Sequence, residues 1–355
     1  MKRTWATIYA IFCTLLLVAG FVVAFIFAWR DSAWETAYFL IGMVGSLIFT
    51  TIIHELGHLF FLTVNKMECV YIKCFCFKQY RKDGKKRIGF ASPFKADETQ
   101  AIPKTGGNMK KRASAYTLGG LIFSAIWLFL LVGGALTCTL LGGTVYILWG
   151  AVPYAAYIFL LNVMPCEYGS GKTDMLVYCG IQKEEPAEKV MLYAMEIQGQ
   201  LYEGKSFAKI DEKWYFDLPQ LCEDEPLYAV ILDLRYRYYL EKNDLQNAAD
   251  CLNRLVQTQA YLSDVEVEKI AAELTYMHAL NGDLESAAES GKLCRDFLKS
   301  NDVSAKRILA AYSAAFGKTE AVSPLIEQAK TAMEKESILG VRRFEEILLS
   351  RIQEV

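Results

Sequence analysis

Thr51-Ile52-Ile53-His54-Glu55-Leu56-Gly57-His58-Leu59-Phe60 sets two imidazoles and a carboxylate inside an apolar run. On a helix, residues four apart share a face, so His54 and His58 both turn a ring nitrogen toward one metal ion, with Glu55 beside it. That is the His-Glu-x-x-His arrangement of zinc hydrolases. Zinc lowers the pKa of a bound water to about 7, and a glutamate within hydrogen-bond reach takes that proton and returns it to a leaving amine. Ionisable groups in the middle of a hydrophobic segment are costly and ordinarily functional, which favours this reading over histidines that merely bond to neighbouring helices.

The flanks narrow the choice of enzyme. The long soluble form of the motif places Gly and His seven and ten residues after the first histidine, and those positions are Phe61 and Val64. The chain has 3 histidines, and the third, His278, lies far away in a polar helical segment. Catalytic zinc takes three protein ligands plus water, so the third ligand is expected to be a carboxylate, with a cysteine as the weaker alternative. Cys69, Cys74 and Cys76 sit in an alternating, strand-like stretch with no histidine nearby and are not expected to form a second metal site.

The 355 residues, 53% of them hydrophobic, divide into unlike halves. Residues 1–180 carry 17 Lys and Arg against 9 Asp and Glu, net +8, and residues 181–355 carry 21 against 31, net −10. A basic membrane half and an acidic soluble half fit that split, and no recognition motif joins the basic residues to suggest nucleic acid. The 10 cysteines show no C-x-x-C spacing and read as small buried hydrophobes or free thiols of a reducing compartment.

Lys2 and Arg3 precede an apolar run from Trp5 to Trp29, above the roughly 20 residues that span a bilayer core. It exceeds the apolar core of a cleaved signal, about 7–15 residues, and is expected to be retained. A second run, about Trp34 to Val64, carries the motif in its last third. Thirteen Lys and Arg follow between residues 66 and 112, as the positive-inside rule requires of a cytoplasmic loop. Within that loop Val70 to Phe77 alternate, and Asp83-Gly84 offers a tight turn before Arg87 to Phe94, which predicts a β-hairpin. Such a hairpin serves as a small cap, or as an exposed edge that pairs with an extended substrate peptide.

Two further apolar helices are expected, about Tyr116 to Leu141 and Val145 to Met164, with Gly119-Gly120 and Gly133-Gly134 read as plain helix packing. The last ends in Asn162-Val163-Met164-Pro165-Cys166-Glu167-Tyr168-Gly169-Ser170-Gly171-Lys172-Thr173-Asp174. Pro165 breaks the helix and the glycines let the chain fold back, which leaves Glu167 and Asp174 as the acidic residues at the depth of the motif. Beyond residue 181 the sequence turns polar and helical. Leu240 to Leu252 aligns with Ala279 to Leu293 at an offset of 39, and a weaker copy follows at Ala315-Phe316-Gly317-Lys318, as stacked helical hairpins require.

His54-Glu55-Leu56-Gly57-His58 on one apolar helix, and Asn162-x-x-Pro165 followed by an aspartate on a later one, resemble the site-2 protease family of intramembrane zinc metalloproteases across roughly residues 34–178. The resemblance implies that His54, His58 and Asp174 hold zinc and that Glu55 is the general base. The sequence departs from the family in two places. The family's Asp-Gly comes about five residues after the proline, whereas Asp174 comes nine after Pro165 and precedes Met175, so Glu167 stays open as the ligand. Gly119-Gly120 is followed by Leu121, where the family often has Pro or Asn. The second half resembles tetratricopeptide-type repeats.

The expected fold is an α-helical membrane protein with about four transmembrane helices and a small cytoplasmic β-hairpin, plus a soluble all-α helical-repeat domain. Its expected divisions are a transmembrane metalloprotease domain 1–180, a helical linker 181–226 and a cytoplasmic repeat domain 227–355. The expected function is zinc-dependent hydrolysis of peptide bonds in or near transmembrane segments of membrane-bound proteins, with the active site toward the cytoplasm. The expected partners are the lipid bilayer, a transmembrane substrate protein and a cytoplasmic protein recognised by the repeats. The alternative is a catalytically inactive membrane scaffold that binds partners through those repeats. The intact His54, Glu55 and His58 argue against it, and four spans leave little room for a zinc transporter's path.

Overall fold

A long apolar segment satisfies its backbone N–H and C=O groups most completely as a helix, where every bond closes within the segment. The computed structural model describes residues 3–82, 85–92, 98–168, 171–223, 225–258 and 262–353, and is mostly helical. In its first half α1 (Arg3–Asp31) and α2 (Ala33–Val64) are divided at Ser32, whose hydroxyl accepts from the Glu35 backbone N–H as the N-cap of α2. After four strands come α3 (Met109–Leu140) and α4 (Tyr146–Val163). All four helices are long and apolar enough to cross a membrane.

The strands are β1 (Met67–Cys74), β2 (Phe77–Lys82), β3 (Lys85–Phe90) and β4 (Glu98–Pro103). They form one antiparallel sheet in the order β3-β2-β1-β4, in place of the expected hairpin. The alternation from Val70 to Phe77 reads as one strand because the pattern runs straight across the reversal at Phe75-Cys76. The chain turns there through Phe75 in the left-handed region, φ 53°, which no side-chain period signals. Asp83-Gly84 lies outside the described residues, flanked by the Lys82–Lys85 pair of the β2–β3 ladder. β4 escaped prediction because Glu98 to Ile102 is polar and short and ends in Pro103, a residue tolerated at a strand end.

α3 begins seven residues before the expected Tyr116. Lys110, Lys111 and Arg112 in its first turn oppose the helix dipole, and Arg112 has a reason to be there. Its Nε donates to the Asn65 carbonyl at 2.8 Å and its guanidinium to that of Lys66 at 3.0 Å. These contacts satisfy carbonyls that the end of α2 leaves open, and they tie the motif helix to α3.

Two short strands, β5 (Glu167–Tyr168) and β6 (Gly171–Lys172), lead to α5 (Asp174–Lys183). The chain clusters into two compact units, Met1–Pro103 with Asn108–Glu188, and Lys104–Gly107 with Lys189–Val355. The second unit holds most of α6 (Pro186–Tyr202), the short α7 (Lys213–Phe216), α8 (Pro226–Glu241), α9 (Leu245–Gln257), α10 (Asp264–Leu280), α11 (Leu284–Leu293), α12 (Arg295–Lys299), α13 (Val303–Ala315), α14 (Thr319–Met333) and α15 (Leu339–Gln353). The segment 181–226 is therefore divided between the units. Its Val190, Ile197, Leu201, Phe207 and Tyr215 are buried in the same apolar core as Leu240, Tyr276 and Phe344.

The aligned segments of the second half become three helical hairpins, α8–α9, α10–α11 and α13–α14, which turn through Asn243, Gly282 and Gly317 at φ 62°, 74° and 71°. Asp244 and Asp283 follow the first two and cap the next helix, accepting from the Asn247 and Ser286 backbone N–H groups. Lys318 holds the third place and supplies no side-chain cap, which is why that copy is the weakest.

At the centre of this unit Arg307 is fully buried, 2.8 Å from Glu345 and 2.7 Å from Glu273, with its guanidinium 4.2 Å over the Tyr276 ring. The Tyr236 hydroxyl donates to the same Glu273 at 2.7 Å. Removing one member of a buried ion network leaves its partners uncompensated, so Arg307→Ala is expected to destabilise this unit by about 3–5 kcal/mol. Denaturant unfolding of the full chain, followed by tryptophan fluorescence, measures it.

Candidate metal centre

His54 and His58 lie one turn apart on α2, 8% and 6% exposed, and Glu55 between them is 5% exposed. Three ionisable groups are buried together here because α2 and α3 cross at backbone distance. A Cβ on Gly57 would stand 2.2 Å from the Gly119 carbonyl oxygen, and one on Gly119 would stand 2.5 Å from that of Gly57. Gly120, one residue on, faces the imidazoles themselves. A Cβ there would meet His58 Nε2 at 2.5 Å and His54 Nε2 at 2.7 Å, so the missing side chain is the space the two rings occupy.

The third group arrives from the far end of α4. Met164 and Pro165 end that helix, and Thr173 rejoins the chain to it: its hydroxyl donates to the Met164 carbonyl at 2.7 Å and accepts from the backbone N–H groups of Cys166 and Leu176, each at 3.3 Å. Thr173 is thus the N-cap of α5, and Asp174 is its first residue. α5 is in turn held to α3, where Gln182 Nε2 donates to Ser114 Oγ at 2.7 Å.

The result is a triangle of ligand atoms. His54 Nε2 and His58 Nε2 are 3.3 Å apart, and Asp174 Oδ2 stands 3.2 Å from the first and 3.4 Å from the second. On the outer side of each ring a second partner holds it in place. His58 Nδ1 is 2.9 Å from the Tyr116 carbonyl and His54 Nδ1 is 2.9 Å from Ser124 Oγ. A carbonyl only accepts, so Nδ1 of His58 carries a proton, and the neutral ring then keeps the Nε2 lone pair; Ser124, a hydroxyl, orients the His54 ring as donor or acceptor. Such outer partners orient metal-bound imidazoles and raise their basicity.

These three residues are the group, among the described residues, whose donor atoms lie close enough together to hold a metal ion. They fit zinc in kind and in spacing. Two imidazoles and one carboxylate are a catalytic zinc set, and ligands at about 2.0–2.1 Å from a tetrahedral centre are separated by about 3.3–3.4 Å. Asp174 Oδ2 is buried without a hydrogen-bond donor, and a buried polar atom left so calls for a partner, which a bound cation would supply.

Glu55 stays outside the triangle, close enough to interact electrostatically with all three of its members. Its Oε2 accepts a hydrogen bond from the Thr99 hydroxyl of β4. The Tyr116 hydroxyl donates to the Thr99 carbonyl, while its own backbone carbonyl faces His58. Tyr116 therefore connects the histidine side of the site to the strand that touches Glu55.

Other sequence candidates fall elsewhere. Glu167 is exposed, lies opposite Lys172 in the β5–β6 ladder and is not a member of the triangle. Gly169 and Ser170 lie outside the described residues, and Gly171 beside them takes φ 133°, a backbone that glycine permits. Asn162 bonds within its own helix, to the Ile158 carbonyl. His278 faces Asp283 at 3.7 Å in the second unit. Thr99, Tyr116, Ser124, Thr173 and Gly120 were not anticipated as site residues. The glycine pair leaves a trace in the sequence, where it reads as packing.

No family model matches the chain, and no curated protein or solved structure matches it.

Proposed function

We propose that the chain is a zinc-dependent intramembrane endopeptidase of the site-2 protease type, acting on membrane-bound proteins at a bond in or near a transmembrane segment. The observation that carries this reading is the convergence of His54, His58 and an unpartnered Asp174 oxygen beside the buried Glu55, on a helix long enough to cross a membrane. The four apolar helices and the basic loop from Lys66 to Arg112 support a multi-pass protein with this site toward the cytoplasm and the second unit in the cytosol.

His54, His58 and Asp174 would hold the ion, which when bound acidifies a water and polarises the scissile carbonyl. Glu55 is positioned to take the proton of the attacking water and deliver it to the amine as the C–N bond breaks. The buried α2–α3 crossing keeps bulk water from the reacting groups, so their charges act in a low dielectric. Among the described strands β4 lies at the edge of the sheet, next to β1, and its Thr99 touches Glu55. An extended substrate segment pairing with that edge would therefore pass the site, and it must unwind first because a helix hides its peptide bonds. The second unit carries no comparable ligand cluster among its described residues, and it serves in this reading to recognise a partner protein through tetratricopeptide-like hairpins.

The test is Glu55→Gln. The variant is expected to retain one zinc per chain and lose about 10²–10⁴-fold in cleavage of a membrane-inserted model substrate, because an amide cannot accept the proton. Zinc by mass spectrometry and turnover in the same preparation read both parts. Full turnover in the variant removes the hydrolase mechanism.

A further inference from the structure

We propose that Thr99 is the positioning residue for Glu55, an inference that rests on the endopeptidase reading above. A carboxylate has two oxygens and a soft terminal torsion, so a base must be held if one oxygen is to face the water. α2 fixes where Glu55 starts, but helix backbone alone leaves its carboxylate free to rotate. The Thr99 hydroxyl donates to Oε2, which takes up one oxygen and leaves Oε1 for the proton transfer. Thr99 is itself held. Its Cα pairs with Ile72 in the β1–β4 ladder, and its carbonyl accepts from the Tyr116 hydroxyl. Tyr116 sits on α3 and its carbonyl faces His58 Nδ1 at 2.9 Å. The base and one of the candidate metal ligands are thereby referenced to the same tyrosine, and a shift of β4 displaces the base relative to the ion.

The position asks for a hydroxyl of limited reach. Valine has the shape of threonine without the donor, and serine keeps the donor without the methyl. Thr99→Val is therefore expected to lower kcat by about 10²-fold, the loss that a displacement of about 1 Å produces, while KM and zinc content stay at wild-type values. Thr99→Ser is expected to restore most of the turnover, and Tyr116→Phe, which frees the Thr99 carbonyl, to lower kcat in the same direction. A readout independent of turnover is a double-mutant cycle on thermal unfolding in detergent: the lowering of the midpoint by Thr99→Val is expected to vanish in a Glu55→Leu background, since contacting residues couple and separated ones add.

If wild-type protein cleaves no substrate, the endopeptidase reading fails and the cycle alone decides whether the two side chains interact. If the wild type cleaves and Thr99→Val equals it in kcat, Thr99 does not position the base. A Thr99→Ser variant as impaired as Thr99→Val also overturns the proposal, because shape rather than the hydroxyl would then be what matters.

Discussion

Asp174→Ala is expected to leave the purified protein without zinc, while Glu167→Ala keeps it. Two imidazoles alone would make an incomplete site, since catalytic zinc takes three protein ligands, and Asp174 would supply the charge as well as the third atom. Its Oδ2 lies 3.2 and 3.4 Å from the two Nε2 atoms, whereas Glu167 is exposed and lies opposite Lys172. Activity in Asp174→Ala should fall to the uncatalysed background, further than in Glu55→Gln, because the ion and the water it activates both go. Metal analysis after dialysis decides the matter. Zinc lost from Glu167→Ala and kept by Asp174→Ala would move the ligand to the other carboxylate.

Gly120→Ala is expected to have a comparable effect through a single methyl group. Its carbon would stand 2.5 Å from one ligand nitrogen and 2.7 Å from the other, closer than non-bonded atoms allow, so one or both rings must leave the triangle. Overpacking of this kind costs about 1–3 kcal/mol in stability, but the larger loss is zinc binding. Gly133→Ala on the same helix is the control. Nothing lies within 4 Å of a Cβ there, and alanine is the better helix former by about 0.5–1 kcal/mol, so its zinc content and turnover should match the wild type. Equal zinc in the Gly120 and Gly133 variants would mean that the rings have room to spare and that the close approach is incidental.

What the sequence disclosed follows from which forces have a period. The four apolar helices were legible because burial of a long segment writes itself into composition, and His54, Glu55 and His58 because helical spacing of four ties sequence to geometry. The repeat offset was legible because each turn needs a left-handed residue and two of the three carry a cap after it. The sheet was half legible: its alternation was visible, while the reversal at Phe75 and the polar strand β4 were not. The partners of the site residues were hidden for a different reason. Thr99, Tyr116 and Ser124 reach it from 44, 58 and 70 residues away along the chain, as ordinary threonine, tyrosine and serine with no spacing rule to connect them. Thr173 is the nearest to being readable, since a threonine directly before a short helix is a capping signal, but it stands in a stretch dominated by a proline and glycines.

The ligand triangle also sets a time for its own completion. His58 and Asp174 are separated by 116 residues, about 6–23 s of synthesis at about 5–20 residues per second. Until then the nascent chain holds His54, Glu55 and His58 but lacks the carboxylate of Asp174, and Thr173 must seat Asp174 at the break after α4 before the triangle closes. A ribosome-bound chain truncated before residue 174 should therefore be inert toward neighbouring membrane proteins, although the whole His-Glu-x-x-His motif has already emerged. In the endopeptidase reading, competence waits for a residue that follows the last of the four long helices, so newly made copies would be unable to cut before it is in place.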